Sequence, residues 1–165
     1  MKSKIFISSI LAILLTVTAG VTFAIAQDQI KLTSRAEIEE VTINAKGEKV
    51  VTLKPADKVL PGEIVVFTNT FFNPGKEPAT NVTTENAVPE HMTLVDDSVF
   101  GDNCTITYSI DGGKSYAAAE NLLVSDASGR MWPAEARDYT HIRWTLQGAL
   151  APQHKGEVGF KARLN

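Results

Sequence analysis

The octapeptide SIDGGKSY, residues 109–116, holds the side chains best spaced to do chemistry. Ser109, Asp111, Gly113, Ser115 and Tyr116 fall at the spacing of an Asp-box hairpin. In that motif the aspartate accepts hydrogen bonds from turn amides while the aromatic ring packs beneath the hairpin. This is a structural task. The alternative is contact with a glycan or calcium ion at the exposed tip, with Asp102 and the region of Trp132 supplying carboxylate and aromatic surface.

Other constellations carry less. His91, His141 and His154 are far apart, and no pair has the spacing of metal ligands. Asp96 and Asp97 are adjacent, so on an extended chain they point to opposite sides, whereas calcium gathers about 6 to 8 oxygens. There is no GxSxG elbow, no HExxH helix, no Cys-His pairing and no phosphate-loop glycine spacing. The residues therefore assign no catalytic group, no cofactor and no metal, and the chain reads as a non-enzyme.

Two single residues have both a plain and a sharp reading. Cys104 is the only cysteine, so the domain has no internal disulfide. In NCTITYS it reads as a small apolar strand residue, with a reactive or intermolecular thiol as the alternative. Asn69 interrupts an apolar strand, where an unpaired buried amide would cost about 1 to 3 kcal/mol. It is hydrogen-bonded or exposed or, with a buried lysine and acid beside it, joined to that lysine as an isopeptide.

The elements that must position these residues are strands. Residues 60–89 string strand, turn, strand and turn together with no room for a helix, and Gly62 and Gly75 each follow a proline. Over Glu63–Phe72, Val65, Phe67, Asn69 and Phe71 face one way, while Ile64, Val66, Thr68, Thr70 and Phe72 face the other, so both faces are partly apolar. Ile30, Leu32, Ile38, Val41 and Ile43 predict one or two early strands, with RAEIEE able to form a helical turn between them. Lys49–Leu53, Asn81–Glu85, Met92–Phe100 and Thr105–Ile110 predict further strands.

Asp111, Gly112 and Gly113 signal a hairpin turn, and AAAENLL through Pro133 reads as an excursion. The last two strands are the clearest. Ile142, Trp144 and Leu146 alternate with polar residues, as do Val158, Phe160, Ala162 and Leu164, and the Pro152–Gly156 loop is short enough to make them antiparallel neighbours. The expected fold is all-β: an immunoglobulin-like antiparallel β-sandwich of about seven or eight strands.

At the amino terminus, Lys2 and Lys4 precede an apolar run from Ile5 to Val17 and an Ala24-Ile25-Ala26 site, which together read as a signal-peptide helix cleaved after Ala26. A retained anchor fits less well, because Thr16, Thr18, Gly20 and Thr22 dilute the segment. The organisation is then a signal peptide at 1–26, an N-terminal segment at 27–46 and the sandwich at 47–165. Loss of two lysines takes the net charge from −3 to −5, which opposes nucleic acid and anionic lipid as partners. The expected location is the periplasm or outer cell surface, with no membrane insertion after cleavage.

The run PGEIVVFTNTFFNPGKEPATNVTTENAVPEHM resembles the bacterial repeat family called domain of unknown function eleven. Pro61, Gly62 and Glu63 form its turn, the strand runs to Asn73, and Gly75, the Asn81 strand and Pro89 follow in order. YSIDGGKSY, ARDYTHIRWTL, LAP and GEVGFKARL are similar to small exported single-domain members, so the resemblance covers roughly residues 47–165. It implies an immunoglobulin-like domain of the cell envelope with no established enzymatic activity and no cofactor, and it transfers no catalytic residues. Asn69 stands where the family usually places an aliphatic residue, and QHKG replaces its tight glycine turn after LAP.

The function that follows is structural or recognitional, with another envelope protein as the partner. Two surfaces are candidates. One is the hairpin and excursion around Asp111, Tyr116 and Trp132; the other is the strip Ile64, Val66 and Phe72, covered either by the chain's own N-terminal segment or by a partner.

Overall fold

Strand alternation decides the layers of this chain. A computed structural model describes residues 30–165; the leader read at 1–26 and the first residues of the segment at 27–46 lie outside the described residues. In chain order the strands are β1 (Lys31–Ile43), β2 (Lys49–Pro55), β3 (Ile64–Phe72), β4 (Ala79–Thr80), β5 (Thr83–Ala87), β6 (Met92–Leu94) and β7 (Phe100–Gly101). Then follow β8 (Cys104–Ser109), β9 (Leu123–Ser125), β10 (Met131–Pro133), β11 (His141–Leu146), β12 (Ala149–Leu150) and β13 (Lys155–Leu164). Among the described residues the helical content is two short 3₁₀ turns, Ala119–Asn121 and Ala136–Asp138.

All strand pairings are antiparallel. The larger sheet runs β2-β1-β3-β13-β6, with β7 also on β13, and the smaller runs β5-β11-β8. Two ribbons, β9-β10 and β4-β12, complete the set. The inner faces of the two sheets meet in one buried cluster containing Phe71, Ile142, Trp144, Val158 and Phe160, a sandwich-like arrangement. Trp144 stacks on Phe160 across the layers at a centroid distance of 6.3 Å. Burying each ring contributes on the order of 3 kcal/mol. The indole N–H donates to the Phe100 carbonyl at 3.0 Å, and Gly101 leaves room for the ring, since a Cβ there would lie 2.9 Å from it.

β11 and β13, the two strands expected to come last, correct one expectation. They bury Trp144 and Phe160 together, as their alternation predicts, but they are not neighbours. Both edges of β11 are taken by β5 and β8, while β13 pairs with β3, β6 and β7. The segment from Gln147 to His154, which includes β12, therefore carries the chain from one sheet to the other. Gln153 takes the left-handed turn conformation (φ 60°), and its side-chain amide donates to the Pro74 carbonyl.

RAEIEE forms no helical turn; it lies inside the continuous strand β1. β3 carries apolar residues on both faces and is a central strand, with β1 and β13 on its two edges. Asn69 is 2 % exposed and spans the layers: it accepts from Ser34 Oγ at 2.7 Å and donates to Asn86 and Thr84 of the facing sheet. These partners satisfy the amide, and none of them is a lysine or an acid.

β1 outruns the sheet. It pairs with β3 over Lys31–Ile38 and with β2 over Glu37–Ile43, so the two pairings share only Glu37 and Ile38. Beyond that point β1 and β2 form a two-stranded arm closed by a turn at Asn44–Glu48. Asn44 Oδ1 accepts the N–H groups of Lys46 and Glu48 at 2.9 and 3.0 Å, and Gly47 supplies the positive φ.

Candidate functional site

The hairpin after β8 is built around one carboxylate. Ser109 is fully buried at the strand end; its hydroxyl donates to Asp111 Oδ1 at 2.7 Å and accepts the Gly113 N–H at 2.9 Å. Asp111 Oδ1 also accepts from the N–H groups of Lys114 and Ser115, and Oδ2 accepts from the Ser115 hydroxyl at 2.6 Å. Gly112 and Gly113 have the positive φ angles the turn requires, and a Tyr108–Ala117 bridge closes it. Hydrogen bonds from Ser109, then Ser115, hold the Asp111 carboxyl well below the usual carboxylate range. Both oxygens thus serve the turn.

Tyr116 packs on the solvent face of the smaller sheet. The Arg143 guanidinium lies over its ring at 3.6 Å from the centroid, and its hydroxyl donates to Glu85 Oε2. Arg143 pairs with the same carboxylate oxygen at 3.4 Å, and Glu85 stands directly opposite Arg143 in the ladder. The Tyr116 hydrogen bond is the main cause that lowers the Glu85 pKa, while burial and the carboxylate push the Tyr116 phenol up. Arg143 Nε is buried without a hydrogen-bond partner. The His141 ring lies beside Gly113, 3.2 Å from where its Cβ would stand.

Trp132 is not brought to this cluster. It sits in the β9-β10 ribbon opposite Val124, half-buried. That ribbon turns on a second aspartate: Asp126 Oδ1 accepts from Ser128 N, Ser128 Oγ and Arg130 N. The run SDASGR signals only a break in regular structure, so Asp126 was not legible as a turn anchor. His91, His141 and His154 stand in separate places, and among the described residues no group of three or more His, Cys, Asp or Glu is placed to hold a metal ion. Burial raises the Cys104 pKa, which keeps that thiol protonated at neutral pH.

The strip on β3 is partly closed by the chain itself. Val66 is buried, and Ile64 and Phe72 are half-buried. Glu37 of β1 and Lys161 of β13 stand opposite Val66, and Lys161 pairs with Glu39. Further along, Glu157 binds Arg35 at 3.3 Å and Thr70 at 2.9 Å. The N-terminal strand therefore contributes to the cover from the side, as a sheet neighbour, and Val66 is not available to a partner in this structure.

A cleft of about 700 Å³ lies elsewhere, floored by Phe71 and Leu150 and rimmed by Asp102, Gln147, His154 and Lys155. Neither the hairpin nor Trp132 lines it. Its walls come from three separated segments, so no local motif announces it.

Among the described residues, the arm gathers several exposed large apolar side chains. Val41, Ile43, Val51 and Leu53 are 57, 72, 56 and 48 % exposed, and the ladder puts all four on one face. No family model, no curated protein and no solved structure matches this chain.

Proposed function

We propose that the chain is an exported, non-catalytic immunoglobulin-like module that binds protein in the periplasm or at the outer surface, using the β1-β2 arm. The observation that carries this reading is the arm's combination of four large exposed apolar side chains on one face with an outer edge that pairs with no strand among the described residues. A two-stranded ribbon is at best marginally stable alone in water, and a contiguous apolar stripe gains most when another surface covers it. Unpaired N–H and C=O groups along such an edge recognise another backbone. The immunoglobulin-like assignment draws support from the two facing antiparallel sheets and from the resemblance to domain of unknown function eleven. Export draws support from the leader pattern at 1–26.

The test is capture from envelope extracts with the mature protein, comparing wild type with Ile43→Lys and Val51→Lys, and with Asp111→Ala and Phe72→Asp as controls elsewhere. Loss with the arm variants alone supports the reading. Capture that survives both arm variants, all proteins being folded, removes it. The exported protein should begin at Gln27 on amino-terminal sequencing; material retained in the cytoplasm with Met1 in place overturns the location.

A further inference from the structure

We infer that the arm's partner is a second copy of this chain, joined edge to edge through β2 about a twofold axis at Val51. This inference rests on the arm being a binding surface, and it names what binds there.

The ladder dictates which backbone groups are free. Asn44 N donates to Glu48 O and Ala56 N donates to Ala36 O, so even-numbered residues of β2 are turned toward β1. The N–H and C=O groups of Lys49, Val51 and Leu53 therefore point away from β1, at the edge of the sheet. Two such edges can exchange hydrogen bonds only in registers that pair odd residues with odd residues.

The possible registers differ in chemistry. An axis at Thr52 sets Lys49 opposite Pro55 of the second copy, where one N–H is missing. An axis at Val50 sets Lys46 opposite the second copy's Lys54, a like-charge pair. With the axis at Val51, Lys49 faces Leu53, Val51 faces its own equivalent and each of these facing residues has its N–H, while Pro55 falls opposite Gly47 in the turn beyond β2. The same register sets Glu48 opposite Lys54 at both ends. The arm is thus complementary to itself in hydrogen bonding, and Glu48 of one copy adds a second carboxylate to a Lys54 that already pairs with Glu40 of its own copy at 2.5 Å; Lys49, Lys54 and Pro55 penalise other alignments. The exposed stripe of Val41, Ile43, Val51 and Leu53 becomes continuous with that of the second copy.

The experiment uses the full mature chain in a Cys104→Ala background. Sedimentation should show a monomer–dimer equilibrium that Glu48→Lys weakens about tenfold, because the symmetry places its repulsion of Lys54 at both ends. Val51→Cys should form a covalent dimer on mild oxidation faster than Thr52→Cys or Val50→Cys, since only residue 51 faces itself. A chain that stays monomeric overturns the inference, as does faster crosslinking at 50 or 52. If the chain is monomeric yet the arm variants still abolish capture of another protein, the second copy is the wrong partner while the arm remains the binding surface.

Discussion

The Arg143 guanidinium lies 3.6 Å from the centroid of the Tyr116 ring, and both side chains meet the same Glu85 carboxylate. This cluster thereby ties the end of a hairpin to the central strand of the smaller sheet. The hairpin's position depends on three residues that are far apart in the chain and adjacent only through the ladder.

Removing the ring should loosen that tie. Tyr116→Phe keeps the cation–π contact and loses the hydroxyl bond, with an expected cost below about 1 kcal/mol; Tyr116→Ala loses both, with an expected cost of about 1 to 2 kcal/mol. Urea denaturation measures each. Equal costs for the two variants would show that the ring contact contributes nothing.

Acid should act through the same hairpin. Asp111 and Glu85 have folded-state pKa values depressed below their unfolded values, by the Ser109 and Tyr116 hydrogen bonds respectively. A depressed carboxyl contributes stability that is fully present above its unfolded pKa, about 4, and is lost as pH falls toward the folded value. Asp111→Asn should lower stability at neutral pH and flatten the decline below about pH 4. Thermal melts across that range check it; an unchanged acid limb would remove Asp111 from the account.

Two glycines on β13 should resist any side chain. A Cβ at Gly159 would lie 2.2 Å from the Phe67 carbonyl oxygen, and one at Gly156 would lie 2.3 Å from the Phe71 ring. Backbone yields less readily than a ring. Gly159→Ala should therefore cost more than Gly156→Ala, with about 3 kcal/mol or more for the first and about 1 to 3 kcal/mol for the second. Comparing their denaturation midpoints decides the order.

Asn69 links the two layers, so Asn69→Ala strands Ser34, Thr84 and Asn86 together. The expected cost is about 2 to 3 kcal/mol, read by denaturation. Intact-mass analysis of the wild type should show no loss of ammonia, because the amide's partners are hydroxyls and another amide. A mass short by one ammonia would establish a crosslink instead.

Much of the strand content was legible. Alternation at Ile142, Trp144, Val158 and Phe160 told which side chains turn inward, and the paired glycines marked the turn at 111–113, because both signals are local. The buried amide at Asn69 was foreseeable as a residue that needed partners, yet its partners lie on another sheet. Tyr116 was read as packing beneath its hairpin, but nothing near it in the chain pointed to Arg143 or Glu85.

Taken alone, the residues determined that this chain is built of strands and which faces of its last two strands are oily. Tertiary structure decided that those strands sit in opposite sheets, that β1 leaves its sheet to form an arm, and that Val66 is closed over while Val51 is open. The physical reason is that a period of two tells a side chain which face to occupy, and is silent about which strand occupies the edge beside it. That choice is made by hydrogen bonds between segments distant in the chain, which no short stretch of residues encodes by itself.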